Sequence, residues 1–377
     1  MFALALLLAL VPAPPSVGGP KKTADTTPTY RFVAHGAARV TFRWAFDATR
    51  LHRCVSPYTQ RLAVGRHVLR VCAVDMHGRE SRPTTVRVQI LDKPSGPRPQ
   101  TIAVSGRPVS LAEGFGSIWV ANYLGGAVLR VDPATNRVIA RIPVGGQPWG
   151  IAVTPYSVWV GNNGDTHVAR IDPTSNTVVA RVEIGDRPIG IDYDGGFLWV
   201  ADFGDARVTK IDAVTNVVAA QATITGEHEG VTHGFGSIWV PSEAAFVSRV
   251  DPTTLAVTAT VTVGNDPDFA LVADGSVWTT AYQDRVISRI DPDTNTVVST
   301  LAVDEGLQGI AFDQGTFWVA NYNQSKLLHL DEATGKGLGR WNTGGGPRQV
   351  LLAAGSIWVA NSRSDSVSRL TLPGESR

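Results

Sequence analysis

From residue 100 onward the chain is a succession of short apolar runs broken by turn residues, four runs to a unit of about forty residues. Each unit reads P-x-G-I-A, then G-S-I-W-V-A-N, then V-x-R-I-D-P-x-T-N, then V-V-A-x-I-x-V-G. One tryptophan marks each unit: Trp119, Trp159, Trp199, Trp239, Trp278, Trp318 and Trp358, spaced by 40, 40, 40, 39, 40 and 40 residues. Self-similarity at this period signals a repeat architecture. Four-stranded units stacked radially make a β-propeller, in which only short strand edges are left open. The pattern therefore predicts an all-β fold, with a seven-bladed β-propeller over residues 100–372.

The last unit stops after its third run, whereas Gln100–Pro108 matches a fourth run and its exit loop. The N-terminal strand is thus expected to complete the last blade. In the Asp-Pro-x-Thr-Asn turns, Asp caps the turn backbone, Pro presets φ, and Asn tolerates the left-handed conformation. Asn136, Asn176, Asn216 and Asn295 hold that last place and Gly335 replaces it once; Leu255 is the exception, predicting a different turn there. The third run carries Arg130, Arg170, Lys210, Arg249, Arg289, His329 and Arg369, six of them followed two residues later by Asp. Such regularity reads as scaffold, bonding within or between blades. The tryptophans read as inter-blade packing.

Upstream, alternation in Arg39–Phe46, His67–Val74 and Thr84–Ile90, with turn signals between, predicts a small β-sandwich over residues 28–92. Residues 93–99, rich in Pro, form a stiff linker. Residues 1–19 read as a secretion signal: the apolar run Phe2–Val11 is too short to span a bilayer and is followed by small residues. No later segment is apolar enough to cross a membrane, so a secreted or extracytoplasmic, envelope-associated monomer is expected. In an oxidising compartment Cys54 and Cys72 suggest a disulfide; otherwise they are two free thiols.

Charge divides the chain as the patterning does. Residues 21–98 carry 15 Lys and Arg against 5 Asp and Glu, a net of +10; residues 99–377 carry 19 against 28, a net of −9. The basic part suits an anionic envelope polymer or membrane surface. It lacks the interleaved aromatics that stack bases, so nucleic acid is not favoured.

Function is sought where the repeat breaks. Strand order puts the loop leading into each first strand and the loop after each second strand on one face. An inner ring there is expected from Val109, Trp149, Ile189, Glu229, Asp268, Gln308 and Arg348. A second ring would be Asn122, Asn162, Asp202, Ser242, Ala281, Asn321 and Asn361. Beside it lie Tyr123, Asn163, Phe203, Glu243, Tyr282, Tyr322 and Ser362. The fourth unit is odd in both loops: His228 takes the usual Pro place, and the 39-residue stride falls between Trp239 and Arg249. A His amid carboxylates suits acid–base work or a divalent cation, Mg or Ca. The candidate ligand-binding set is Trp149, Glu229, Glu243, Asp268, Gln308, Arg348, Tyr123, Tyr282 and Tyr322.

The repeat resembles the YVTN type of seven-bladed propeller, and its neighbour is the streptogramin B (virginiamycin B) lyase family. The latter resemblance implies metal-assisted elimination opening a cyclic depsipeptide; its active-site residues do not carry across one by one, and on that reading His228 is the catalytic base and Glu229, Glu243 or Asp268 holds the metal. Those lyases usually carry W-F-x-E after the second strand; here only Glu243 comes near, and W-V-A-N dominates. The stretch Phe42…Asp47…Cys54-Val-Ser56-Pro57…Leu62…Gly65-Arg-His67-Val-Leu69-Arg-Val71-Cys72-Ala73 resembles a bacterial Ig-like/fibronectin-III-like repeat. In that family a first Cys often stands where this chain has Trp44. His228-Glu-Gly-Val-Thr-His233 has the wrong spacing for a zincin helix. Asp331…Lys336…Trp341 resembles a quinoprotein docking motif but occurs once. With no complete catalytic set, a propeller binding a ligand or protein partner leads over the lyase. A pure interaction scaffold is the third reading, and no cofactor beyond the divalent cation is implied.

Overall fold

In a computed structural model of the chain, residues 12–371 are described, apart from residues 20, 24–27, 35–39, 49, 55, 61, 64 and 91–97. The fold is all-β, and the chain divides into two compact units between Lys93 and Pro94. Among the described residues no helix is long and apolar enough to cross a membrane.

The first unit holds β1 (Ser16–Gly18), β2 (Lys22–Thr23), β3 (Thr29–Val33), β4 (Val40–Phe46), β5 (His52–Cys54), β6 (Tyr58–Thr59), β7 (Gly65–Asp75) and β8 (Thr84–Ile90). They form two sheets, β1-β3-β6 and β2-β8-β7-β4-β5. Tyr30 and Phe32 from the first sheet and Trp44, Leu69, Val71, Val88 and Ile90 from the second share one apolar core. β1 and β2 begin this unit earlier than residue 28. β1 also lies inside the stretch read as a leader, and pairs antiparallel with Arg31–Val33 of β3. Residues 1–11 of that leader and 91–97 around the linker fall outside the described residues.

The expected Cys54–Cys72 bond is not formed: Cys72 is a free thiol, buried, with its Sγ 3.7 Å from a Glu80 carboxylate oxygen. The register gives the reason. Strand β4 lies between the two cysteine strands, with Phe42 opposite Cys54 and Arg43 opposite Cys72. Two strand spacings amount to about 9.5 Å, beyond the ~7 Å between Cα atoms that a disulfide tolerates. The Cys54 side chain lies outside what is described.

The second unit contains seven antiparallel four-stranded sheets, a propeller-like arrangement. Six are consecutive in sequence: residues 108–143, 148–183, 188–223, 232–262, 269–302 and 307–342. The seventh, 347–371, takes β9 (Gln100–Ala103) as its fourth strand, with Ser366–Arg369 opposite Gln100–Ala103. Each second strand is buried along all or nearly all of its length, Ser117–Asn122 throughout and Phe197–Asp202 from Leu198 on, as its run of apolar residues requires. Each of the seven repeat tryptophans packs into the core between its own sheet and the next. Trp119 meets Val158 and Val160, Trp278 meets Phe317 and Val319, and Trp358 meets Ile118 and Val120 of the first sheet.

The third-strand cations tie sheet to sheet. Arg130 Nη1 donates to Pro173 O at 2.6 Å and to Asn176 Oδ1 at 3.0 Å in the next sheet's turn. Arg170 reaches Asn216, Lys210 reaches Pro252 O, and Arg249 reaches Pro292 O and Asn295. Arg369 of the seventh sheet reaches Pro133 O and Asn136 of the first. The Asp two residues on does not answer its own Arg. It caps its own turn, as Asp172 does with the Thr174 N–H. The sixth sheet carries His329, stacked on Trp318 at 3.9 Å and 7°. Its neighbour, the seventh sheet, takes β9 as its fourth strand, and among the described residues no Asp-Pro turn follows its third strand.

Leu255 corrects an expectation. It adopts φ 59° and its N–H bonds Asp251 O at 2.9 Å, the same turn that Asn makes in other sheets. Its side chain is 6 % exposed and packs with Trp199, Ile224 and Val250. Burying a leucine contributes about 1.5–3 kcal/mol, which offsets the left-handed penalty of about 1–2 kcal/mol.

Candidate functional site

Each unit carries a buried residue at or just before its first strand, Pro108, Pro148, Pro188, His228, Pro267, Leu307 and Pro347, the fourth and fifth first strands beginning later at Thr232 and Phe269. The residue that follows is Val109, Trp149, Ile189, Glu229, Asp268, Gln308 or Arg348 in turn. The glycine of P-x-G lets neighbouring first strands run backbone to backbone. A Cβ on Gly190 would stand 2.9 Å from Glu229 O, one on Gly230 2.7 Å from Asp268 O, and one on Gly309 2.7 Å from Arg348 O. The residues after the buried position are thereby set side by side at the mouth of the first strands.

Five of them carry chemistry, and the structure brings them together. Arg348 donates to Glu229 Oε2 at 2.7 Å, with side chains 12 % and 18 % exposed. The Arg348 guanidinium also lies over the Trp149 ring, 4.3 Å from its centroid. Gln308 donates its amide to the Asp268 carboxylate, both buried, and the Gln308 Oε1 has no partner. Burial and the adjacent Glu229 carboxylate push Asp268 well above the usual carboxylate range, against the pull of Arg348. Val109 and Ile189 complete the ring as buried apolar residues.

Glu243 stands in the shortened turn of the fourth sheet. There Ser242 pairs with Phe246 across three residues, where the first sheet has four between Asn122 and Ala127. The Glu243 side chain is pushed up to about 7 by partial burial and by the carboxylates of Glu229, Asp266 and Glu227. Its N–H bonds Glu227 O at 3.2 Å. Glu229 thus bonds Arg348 and also acts on both Glu243 and Asp268.

His228 does not belong to this set. It is 0 % exposed, Nδ1 lies 3.2 Å from Pro241 O, and burial pushes its imidazole below the ordinary value. It fills the scaffold position that proline fills elsewhere, and a base must reach the proton it removes. Glu229, Glu243 and Asp268 were also expected to hold a divalent metal. Among the described residues no three His, Cys, Asp or Glu side chains are placed to hold an ion. Glu229 is taken by Arg348 and Asp268 by Gln308.

The expected second ring turns inward. Asn122, Asn162, Asp202, Ser242, Asn321 and Asn361 have no exposed surface. Asn361 donates to Ser366 and Ser368, and Asp202 accepts from Thr209 at 2.5 Å. Burial pushes Asp202 up to about 7, so its carboxyl imitates the asparagine found in sister sheets. His233 bonds Asp192 at 2.7 Å, a tie between first strands of the third and fourth sheets.

The tyrosines form an outer rim. Tyr123 meets Trp149 edge-on at 5.3 Å and donates to Gln147; Tyr282 and Tyr322 lie 6.3 Å apart. Several rim residues were missed in sequence: Arg107 over Tyr123, Arg187 over Phe203, and Arg363 over Tyr322. Arg107, Gln147, Arg187 and Asp266 all hold positive φ immediately before the buried proline. That position, read down the repeat, was the available signal.

No protein-family model and no curated protein matches the sequence. In structure the chain is similar to Kuenenia stuttgartiensis hydrazine synthase, at TM-score 0.62 and 17 % identity, over 74 % of this chain and 98 % of that one. It is also similar to the computationally designed Ika8 protein, at TM-score 0.58 and 9 % identity, over 96 % of each chain. At these identities the likeness speaks for the fold alone.

Proposed function

We propose that the protein is a secreted or envelope-associated seven-bladed propeller of the YVTN type that binds a ligand or protein partner at its loop face. The observation that carries the reading is the Arg348–Glu229 pair, which joins the fourth and seventh sheets at 2.7 Å over Trp149 of the second. Scaffold contacts in this repeat join neighbouring sheets; this one does not. Partly buried charged groups beside an aromatic face and a buried amide make a recognition site with few, convergent polar groups. Seven sheets, with Trp358 packed on the first, support the blade count and a ring closed by β9.

The first unit, two sheets on one core, supports an Ig-like or fibronectin-III-like module. Its net charge of +10 over residues 21–98 suits tethering to an anionic envelope polymer. The lyase reading loses its base with His228 buried, and its carboxylates are already bonded to Arg348 and Gln308.

A thermal-shift ligand screen tests the leading reading, run on the wild type, Glu229→Ala and Asp268→Ala. Hits should lose their shift in both variants; hits indifferent to both would put the site elsewhere. Incubation with a streptogramin B depsipeptide and Mg²⁺ tests the lyase, which ring opening alone would revive.

A further inference from the structure

We propose that the loop face carries an outer recognition surface for an acidic glycan, built by Arg107, Tyr123, Gln147, Asn163 and Arg187 across the first three sheets. This rests on reading the loop face as the binding face. The first support is a repeated clamp that fixes the backbone there. Ahead of each buried position a carbonyl accepts from the loop after the second strand. Arg107 O takes the Tyr123 N–H at 3.0 Å, Gln147 O that of Asn163 at 2.9 Å, and Arg187 O that of Phe203 at 3.0 Å. The same bond recurs in the other four sheets. At the clamped position those sheets carry Glu227, Asp266, Gly306 and Gly346, so its cations are confined to the first and third sheets, with an amide between them.

The second support is that these side chains are joined to one another. The Arg107 guanidinium lies over the Tyr123 ring, 5.2 Å from its centroid. The Tyr123 hydroxyl donates to Gln147 Oε1 at 2.9 Å and accepts from Asn163 Nδ2 at 3.4 Å. Asn163 Oδ1 accepts from Arg187 Nε at 3.2 Å, and Arg187 lies over the Phe203 ring at 4.3 Å. The arc therefore runs unbroken over three sheets. A guanidinium held on a ring has lost rotamer freedom before a ligand arrives, and its N–H fork matches a carboxylate.

The third support is what the arc leaves open. Among the described residues no carboxylate bonds either guanidinium. The carboxylate beside each clamp is turned to the backbone instead: Asp365 accepts from the Arg107 N–H at 2.8 Å, Asp165 from the Gly146 N–H at 2.7 Å, and Asp205 from the Asp186 N–H at 2.8 Å. The N–H groups of Tyr123, Asn163 and Phe203 are taken by the clamps, so an extended peptide finds no strand edge to pair with. Amides and a phenol between two guanidinium groups suit sugar hydroxyls between two carboxylates.

The test is calorimetric titration of the full chain with a hyaluronan hexasaccharide, whose uronates alternate with neutral sugars. Arg107→Gln and Arg187→Gln should each lower its affinity about tenfold, and the double variant about a hundredfold, with Tm within about 2 °C of wild type. Affinity should fall with added salt, and the neutral N-acetylchitohexaose should not bind. Absence of hexasaccharide binding overturns the proposal, as does binding indifferent to both arginines or matched by the neutral sugar. Binding that falls instead with Arg66→Gln and Arg87→Gln assigns the glycan to the first unit and overturns the arc. Hexaglutamate binding more tightly than the hexasaccharide overturns the glycan. Hexasaccharide binding lost in Glu229→Ala alone overturns the arc but keeps the inner mouth as a site. With the hexasaccharide silent, screen hits that lose their shift in Glu229→Ala keep the loop-face reading and overturn only this surface.

Discussion

Replacing Arg369 with methionine tests how the seventh sheet is joined to the first. Methionine keeps an apolar stem over Trp358, whose ring centroid lies 4.8 Å from the guanidinium carbon, but removes every donor. The donors lost include those to Pro133 O, to Asn136 Oδ1 at 2.8 Å and to Ser356 Oγ at 2.9 Å. Hydrogen bonds involving a charged group contribute about 1.5–3 kcal/mol each. Water replaces part of that at a half-buried site, leaving a net loss of roughly 2–4 kcal/mol. For a unit of this size such a loss lowers Tm by on the order of 5–10 °C.

Two companions make the result specific. Arg249→Met breaks the equivalent tie between the fourth and fifth sheets and should lose a similar amount. His329→Gln removes only a ring stack, worth about 1 kcal/mol. Urea unfolding followed by tryptophan fluorescence gives the stabilities. Hydrogen exchange should show faster exchange in Arg137–Pro143 and β9 for Arg369→Met alone. Stability of Arg369→Met within 0.5 kcal/mol of wild type would refute the latch; equal losses in Arg369→Met and His329→Gln would deny its selectivity.

Asp202→Asn should stabilise the second unit at neutral pH by up to about 4 kcal/mol, since a shift from the ordinary carboxylate value to about 7 penalises the ionised form. Wild-type stability from this group falls as pH rises from about 4 to 7, and the variant should lose that slope in urea titrations. Leu255→Asn restores the common turn residue yet should destabilise by about 1 kcal/mol, because lost burial exceeds relieved strain; a more stable variant would show that the turn dominates. In the first unit, Asp47 and His67 bond at 2.6 Å. That bond raises His67; Asp47, despite partial burial, is lowered by it and by the Val68 N–H. Asp47's contribution is lost as pH falls through its lowered value, and His67's as pH rises through its raised one. Asp47→Asn should flatten both flanks of the unit's pH–stability curve. If a leader is removed in secretion, mass spectrometry should find the mature N-terminus at or before Pro15, whose carbonyl accepts from Thr84 and which precedes β1.

The scaffold was legible because its residues answer to local rules repeated seven times. A tryptophan in the second strand, an Asp-Pro turn, and a strand alternation each announce themselves without reference to distant sequence. What failed to show was whatever depended on which neighbour a side chain faces. The Arg-x-Asp spacing puts both residues on one face but left open whether they bond within or between blades. The guanidinium is long enough to reach the next sheet's turn, and the aspartate is claimed first by its own turn N–H groups. Leu255 was invisible for a similar reason: turn chemistry is local, but the burial that overrides it comes largely from Trp199 of the adjacent third sheet. The cysteines shared one small unit, yet β4 runs between them.

His228 and Glu229 condense the same lesson into adjacent residues. Sequence singled out both because they break one repeat position after another. The segment leading into the fourth sheet then gives them different surroundings. His228 replaces a buried proline and is neutralised by burial, whereas Glu229 reaches the mouth and takes Arg348. A break in a repeat therefore marks a site only after its side is known. In this fold that side is set by a single rule: the residue following the buried position faces the mouth. Applied around the seven sheets, the rule selects Trp149, Glu229, Asp268, Gln308 and Arg348 and leaves His228 to the core. The chemistry of the mouth is thus written in one position per unit, and variation there changes the ligand without touching the tryptophans and latches that hold the sheets together.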